Sequence, residues 1–133
     1  MIDATKNDID LIFGKATVEI WADLNNKRIP VEIKARVDWA LTLVEAKINA
    51  RLRNGPYTIP FVAPFDPIIV DLKARWAGVL LYDGRRVADS EETENTPEHH
   101  RVMIDQTIKA ILAGTLRLDV ETVVVGYPRV IDV

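Results

Sequence analysis

The sequence of 133 residues carries a net charge of −3, and 48% of its residues are apolar, which suits one folded domain with its own core. It contains no cysteine, which excludes disulfides and thiolate metal sites, and its negative charge disfavours a protein that mainly grips a nucleic-acid backbone. No apolar run approaches the roughly 20 residues of a membrane-spanning helix, and the N-terminus lacks a signal-peptide pattern, so we expect a soluble protein made in the cytoplasm.

Two short helices are predicted near the N-terminus. The first covers residues 5–14, between the N-cap residue Thr5 and Gly14, whose type commonly ends a helix. The second covers residues 16–24 and is followed by a turn at a pair of asparagines. Its expected apolar face consists of Ile20, Trp21 and Leu24.

The strongest pattern predicts one long helix over residues 30–54. Its apolar residues recur every three or four positions, as on one face of a helix. This core stripe consists of Ile33, Val37, Ala40, Leu41, Val44, Ile48 and Leu52. A second, adjacent apolar stripe, called the second stripe below, consists of Trp39, Leu43, Ala46 and Ala50. Two stripes predict a helix covered on two sides, either as the central helix of the fold or also as a contact between subunits.

A proline-rich segment and two further helices follow. Residues 55–67 alternate prolines with aromatic and aliphatic residues, which predicts an extended segment pinned onto the helices. A fourth helix is expected to begin at Asp66-Pro67 and to end at Asp83-Gly84. A polar, acidic surface loop separates it from a fifth helix, which runs from residue 97 to about residue 113.

The C-terminal segment has a different composition. Residues 116–133 are rich in β-branched and aromatic residues, which favour extended chain, and Pro128 would interrupt a regular ladder. We therefore divide the chain into a mainly α-helical domain at residues 1–115 and an extended C-terminal arm or short hairpin at residues 116–133. The expected fold is a small helical bundle around one long central helix with a β-prone tail.

The residues able to carry chemistry do not form a convincing site. His99 and His100 are neighbours on a helix, where adjacent side chains point about 100° apart, so we interpret both as solvated residues of the first turn rather than metal ligands. The tryptophans lie in apolar helical patterns and are interpreted as core: Trp21, Trp39 and Trp76. No nucleophile, phosphate-binding, dinucleotide-binding or zinc-protease motif occurs, so we expect no catalytic residue, no cofactor and no metal.

Several arginines are expected near the ends of the third and fourth helices: Arg51, Arg53, Arg75, Arg85 and Arg86. Cations at helix C-termini complement the helix dipole, and this is the simpler interpretation. The alternative is an ionic contact to a neighbouring subunit or to DNA.

Four segments in order carry a resemblance to a known family. The short helical pair DIDLIFG and VEIWADL precedes the long helix VDWALTLVEAKINARL. The break at residues 53–60, RNGPYTIP, leads into a proline-initiated helix that ends in LLYDGR. This order resembles the Mu-like prophage neck family, the head–tail connectors or head-completion adaptors of tailed bacteriophages. The resemblance covers about residues 3–86.

The resemblance implies a non-enzymatic structural adaptor located in the virion neck. Such an adaptor forms a ring of about twelve copies that joins the portal of the DNA-filled head to the tail. The implied partners are the portal protein, a tail or stopper protein and further copies of the chain, with DNA present only in the lumen and no membrane. The expected interface residues are Trp39, Leu43, Arg51, Arg53, Tyr57, Val123, Val125 and Tyr127.

Two other functions stay open at this stage. A small helical DNA-binding or regulatory module could place one helix in a groove of DNA, and it predicts salt-sensitive binding. A small enzyme of unrecognised type predicts a concave pocket that holds titratable residues with perturbed pKa values.

Overall fold

The computed structural model describes residues 1–85 and 97–118, which form five α-helices. The helices are α1 (Lys6–Phe13), α2 (Lys15–Ala22), α3 (Pro30–Leu52), α4 (Pro67–Arg85) and α5 (Pro97–Ala113). The prediction of a mainly helical fold is confirmed, and no β-strand occurs in this part of the chain. None of these five helices combines the length and the apolarity that crossing a membrane requires.

The first helix begins where its capping residues predict. The Asp8 carboxylate accepts hydrogen bonds from the backbone N–H of Thr5 at 2.8 Å and from its hydroxyl at 3.2 Å. Gly14 separates α1 from α2 and has a φ of 96°, a backbone conformation that glycine adopts at the lowest cost. The short hinge allows the two helices to pack against each other and against α4.

Of the apolar face predicted for α2, only Trp21 is buried. Ile20 is 56% exposed and Leu24, beyond the end of the helix, is 44% exposed. The buried face consists of Val18, Trp21 and Ala22. These three residues have the spacing of neighbours on one helix face. An eight-residue helix with apolar residues on both sides does not reveal from sequence which side packs inward.

The long helix α3 buries the predicted core stripe. Six of the seven stripe residues are buried, from Val37 to Leu52, and Ile33 is partly buried. Pro30 occupies the first turn, where its missing N–H costs nothing. The helix ends at Leu52, slightly before the predicted boundary, and Asn54 already lies in the turn that follows.

The proline-rich segment is pinned by aromatic residues, as predicted. Tyr57 and Phe61 are 5% and 3% exposed, and their ring centroids lie 6.4 Å apart. The phenolic oxygen of Tyr57 accepts a hydrogen bond of 2.7 Å from the backbone N–H of Leu118. This bond attaches the residues after α5 to the segment after α3.

The helix with packing on every side is α4, not α3. It contacts α1, α2, α3 and α5, whereas α3 contacts α2, α4 and α5. Accordingly, the buried residues of α4 are distributed around the helix: Ile69, Leu72, Lys73, Ala74, Ala77, Gly78, Val79 and Leu81. The expectation that the longest helix would be central is not confirmed, because the small residues of α4 let that helix be approached from several directions.

The fifth helix packs an apolar face against α4 and α3. Ile104, Ile108 and Ile111 are buried, while Met103 and Leu112 remain 36% and 38% exposed. The expected loop between α4 and α5 falls largely on residues 86–96, and most of the expected arm falls on residues 119–133. Both predictions lie outside the described residues.

A buried ion pair connects the N-terminus to two helices. Nζ of Lys73 on α4 lies 3.0 Å from Oε1 of Glu45 on α3, and both side chains are almost fully buried. The same carboxylate oxygen accepts the backbone N–H of Ile2 at 3.0 Å, and Lys73 donates to the carbonyl of Ile2 at 2.7 Å. Sequence periodicity gave no sign of this pair, because both residues resemble ordinary surface charges.

Candidate functional site

The second stripe of α3 forms an exposed apolar face. Trp39 follows Val37 by two residues, which places it about 160° around the helix from that buried side chain. Trp39 is 40% exposed, Leu43 is half-buried, and both Ala46 and Ala50 are exposed. The two stripes are therefore opposite each other rather than adjacent, and the described part of the chain leaves the second stripe open.

Trp39 is held in place at one side of this face. The guanidinium carbon of Arg36 lies 3.8 Å from the centroid of the indole ring, a cation–π contact. On its other side the guanidinium reaches Gly84 near the end of α4, where a side chain would occupy the same space. The interpretation of Trp39 as core is wrong, whereas Trp21 is buried and Trp76 is partly buried.

A shallow cavity of about 320 Å³ adjoins Trp39. It lies between the α2–α3 loop and the first turns of α3, and Leu24 and Ala35 form part of its lining. Arg85 ties this loop to α4 by donating to the carbonyl of Asp23 and to Oδ1 of Asn26. The apolar face thus continues from the middle of α3 onto a loop whose position is fixed.

The C-terminal end of α3 adds charge to this surface. Arg51 lies 3.4 Å from Asp105 on α5, which is also 2.9 Å from Lys109. The hydrogen bond from Lys109, together with that from Arg51, holds the pKa of Asp105 below its ordinary value. Arg53 is exposed. These exposed pairs stabilise the fold little, which leaves the charges accessible to a partner.

Tyr57 does not belong to this surface. Its 5% exposure and its bond to Leu118 make it part of the core. Its expected role as an interface residue stays a prediction. A tyrosine in a proline-rich loop has no periodicity that would reveal its burial from sequence. The remaining expected interface residues, Val123, Val125 and Tyr127, lie outside the described residues.

The two histidines differ, contrary to the expectation that both are solvated. His99 is exposed, but His100 is 3% exposed and packs against Phe13 with ring centroids 4.5 Å apart. Nδ1 of His100 lies 2.7 Å from Nη1 of Arg75 and accepts its hydrogen bond, which requires that nitrogen to be unprotonated. Arg75 is fixed by two bonds of 3.1 Å to Asp71.

Burial lowers the pKa of His100, and the neighbouring Arg75 cation lowers it further. Nε2 is buried and has no hydrogen-bond partner among residues 1–85 and 97–118. Substrate access to the ring is closed by Phe13 and Arg75, so the arrangement suits a structural role. It joins α1, α4 and α5 at one point.

Three of the arginines expected near the helix ends have separate partners among the described residues. Arg75 serves the His100 contact, Arg85 serves the α2–α3 loop, and Arg51 pairs with α5. Arg86 lies outside the described residues. Within the described ranges, no group of three or more potential ligands could hold a metal ion.

The chain matches no protein-family model, and no curated protein and no solved structure is detectably similar to it. The resemblance to phage neck proteins accordingly rests on the sequence segments quoted above and stays a prediction.

Proposed function

We propose that this chain is a non-enzymatic structural adaptor in the neck of a tailed bacteriophage, where copies of it form a ring that joins the portal of the head to the tail. The observation that carries this proposal is the second stripe, an apolar face of α3 left open opposite the core stripe. The segment order that resembles head–tail connectors supplies the biological setting and the virion location.

The second stripe has the composition of a contact between helices. Ala46 and Ala50 are small and exposed, so another backbone can approach α3 closely along this face. Trp39 is a large aromatic anchor, a residue type enriched among the few positions that dominate binding energy. The cation–π contact to Arg36 restricts its ring before binding, which reduces the entropy lost on association.

The length of α3 also suits a helix that contributes both to the core of its own copy and to the contact with the next copy. Its 23 residues extend about 35 Å, comparable to the whole domain. One face belongs to the core of its own copy, and the opposite face contacts the next copy. A ring requires that the second stripe contact a different surface of the next copy, because only such head-to-tail interfaces close into a ring when the rotation allows.

The test is electron microscopy of the purified chain mixed with the portal protein of the same phage. We expect added ring density on one end of the portal. A chain that stays monomeric and never binds the portal contradicts the proposal. A salt-sensitive shift of duplex DNA in a gel, without portal binding, favours the DNA-binding alternative instead.

A matched pair of variants connects this result to the second stripe. Ala46→Glu places a charge in the middle of the stripe, and Val102→Glu places the same charge at a 48% exposed position of α5. We expect only Ala46→Glu to abolish the ring density. Equal loss in both variants, or in neither, contradicts the role of α3.

A further inference from the structure

A large groove lies on the side of α3 away from the second stripe. Its volume is about 940 Å³, and it runs between the N-terminal half of α3 and the helices α1 and α2. Ile33, Val37 and Leu41 form an apolar floor from α3, and Ile20 lines the groove from α2 with 56% of its surface exposed. An apolar groove of this size is typical of a binding site rather than of an ordinary surface.

The charges at the groove leave one cation over. Six charged residues line it: Lys6, Glu19, Asp23, Arg28, Lys34 and Asp38. Both lysines are paired within the groove, at 3.1 Å to Glu19 and at 2.7 Å to Asp38. The Asp23 carboxylate accepts two backbone N–H groups of the α2–α3 loop, at 3.1 and 2.9 Å. The exposed side chain of Arg28 has no ion pair or hydrogen bond among residues 1–85 and 97–118, so the groove offers it to a carboxylate of the occupant.

The second stripe of α3 is flanked by a carboxylate of the opposite charge. Glu32 precedes Trp39 by seven residues, two turns of the helix, and therefore lies on the same face. Both residues line the shallow cavity at the start of α3. Glu32 is exposed, and its carboxylate has no ion pair or hydrogen bond within the described ranges. Arg36, between the two, already contacts the indole ring of Trp39.

The groove and the second stripe also match in height along α3. At 1.5 Å per residue, Trp39 lies about 3 Å along the axis from Val37 in the groove floor. Arg28 stands two residues before the first residue of α3, and Glu32 stands two residues after it. Two copies of α3 that lie side by side, parallel and without a shift, therefore bring Trp39 of one copy to the groove floor of the other and Glu32 towards Arg28. A closed ring needs this arrangement, because a rotation alone relates its neighbouring copies.

We infer that the groove of one copy receives the second stripe of the next copy, with Trp39 against the apolar floor and Glu32 facing Arg28. The inference rests on the proposed function, because it names the surface that the second stripe contacts in the ring. The two surfaces lie nearly opposite each other on α3, so each copy contacts two neighbours and assembly does not stop at a dimer. Opposite charges at the contact fix its register and its direction.

Photo-crosslinking of the full chain identifies the surface that the second stripe contacts. A benzophenone amino acid at position 39 keeps an aromatic side chain there, and chains that carry it are mixed with isotope-labelled chains that lack it. Mass spectrometry then locates cross-links between copies, both at high protein concentration and on the portal. We expect them at residues 16–23 and 28–41 of the other copy. The same amino acid at Val102 of α5, which does not line the groove, is the control and should give none there.

Charge reversal tests the contact of Glu32 with Arg28. We expect Arg28→Glu and Glu32→Arg each to lower the yield of this cross-link about tenfold, because like charges then face each other. An equimolar mixture of the two variants should restore the yield, since opposite charges meet at every contact between unlike chains, and this recovery shows that both variants fold. Lys27→Glu reverses an exposed cation that does not line the groove and should leave the yield unchanged. Single reversals without effect, or a mixture without recovery, overturn the inference.

The inference and the proposed function fail separately in these experiments. Rings on the portal whose cross-links from position 39 avoid the groove overturn the inference and leave the adaptor function intact. Cross-links into the groove between copies that never bind the portal support the inferred contact and contradict the adaptor function. The absence of cross-links between copies, both in solution and on the portal, overturns the inference.

Discussion

At the scale of single residues, Gly78 shows how closely α1 approaches α4. A β-carbon at this position would lie 2.6 Å from Cδ2 of Phe13 and closer still to Cε2. The ring has little freedom to move, since it also packs against Trp21 at 5.2 Å and against His100 at 4.5 Å. Glycine thus serves the contact between two helices, although it is a poor helix former.

We predict that Gly78→Ala lowers the free energy of unfolding by about 1–3 kcal/mol, the usual cost of overpacking a core. Gly84→Ala is the matched control on the same helix, because its β-carbon would meet only the mobile end of Arg36. Urea unfolding followed by circular dichroism measures both variants. Equal stability of Gly78→Ala and the unmodified chain would show that α1 is not seated on α4 as described.

His100 is the residue where sequence interpretation failed most clearly. Two adjacent histidines are indistinguishable by type, but His100 precedes the buried Ile104 by four residues and therefore lies on the apolar face of α5, a spacing that the prediction overlooked. The difference arises from tertiary contacts with Phe13 and Arg75, residues far away in the chain. The burial of His100 has a measurable consequence for the dependence of stability on pH.

Because the folded state lowers the pKa of His100, the unfolded chain binds a proton more readily. Above the ordinary histidine pKa of about 6.5 both states are neutral and the group has no effect, but stability falls as the pH drops below that value. We predict that His100→Asn flattens the loss of stability between about pH 7 and 5.

His99→Asn is the control for this prediction, since His99 is exposed and the chain has two histidines. The measurement is the free energy of unfolding in urea at a series of pH values. A slope that survives in His100→Asn and disappears in His99→Asn would contradict the assignment of the buried ring.

At the scale of elements, the buried face of a helix was predicted correctly where its apolar residues have a strong helical period, and incorrectly where that period is weak. The core stripe of α3 is buried almost as predicted, because a run of seven apolar residues at helical spacing leaves one consistent face. In α2, apolar residues lie on both sides of the helix, so the sequence did not indicate that Val18 packs inward together with Trp21. In α4, burial on several sides has no period, so its central position followed only from tertiary packing.

Substitutions on the two stripes of α3 should have different effects, on assembly for the second stripe and on folding for the core stripe. We predict that Trp39→Gln leaves the free energy of unfolding within about 1 kcal/mol of the unmodified value, as expected for an exposed side chain. The same change should prevent ring formation on the portal. Val44→Ala, on the fully buried stripe, should instead lower stability by about 1–3 kcal/mol.

Electron microscopy with the portal and urea unfolding together distinguish these effects. If Trp39→Gln unfolds the chain as severely as Val44→Ala, the second stripe belongs to the core. The proposed ring contact would then depend on sequence resemblance alone.

At the scale of the whole molecule, the Glu45–Lys73 pair determines how the N-terminus meets the bundle. Its charged atoms are 3.0 Å apart in a buried environment. The N–H of Ile2 donates to Glu45, and the carbonyl of Ile2 accepts both from Lys73 and from the N–H of Ala4. Sequence composition predicts exposed charges at such positions, since lysine and glutamate are rarely buried unless paired. The pairing needs α3, α4 and the N-terminal residues in their final places, which no local pattern encodes.

Replacement of one residue of the Glu45–Lys73 pair should therefore lower the free energy of unfolding more than replacement of both. Lys73→Met leaves Glu45 as an unpaired buried charge, and we predict a loss of about 3–5 kcal/mol in the free energy of unfolding. Adding Glu45→Leu removes that charge and should recover part of the loss. Recovery stays incomplete, because the N–H of Ile2 then lacks its partner, at about 1–3 kcal/mol, whereas its carbonyl still accepts the N–H of Ala4.

Urea unfolding of both single variants and the double variant gives the coupling free energy between the two side chains. Deletion of Met1 and Ile2 in the double variant is the decisive control. If the Ile2 backbone accounts for the incomplete recovery, this deletion adds little further loss beyond that of the buried Ile2 side chain. A double variant no more stable than Lys73→Met would mean that the carboxylate is satisfied without the lysine, and the N-terminus would then be held by Glu45 alone.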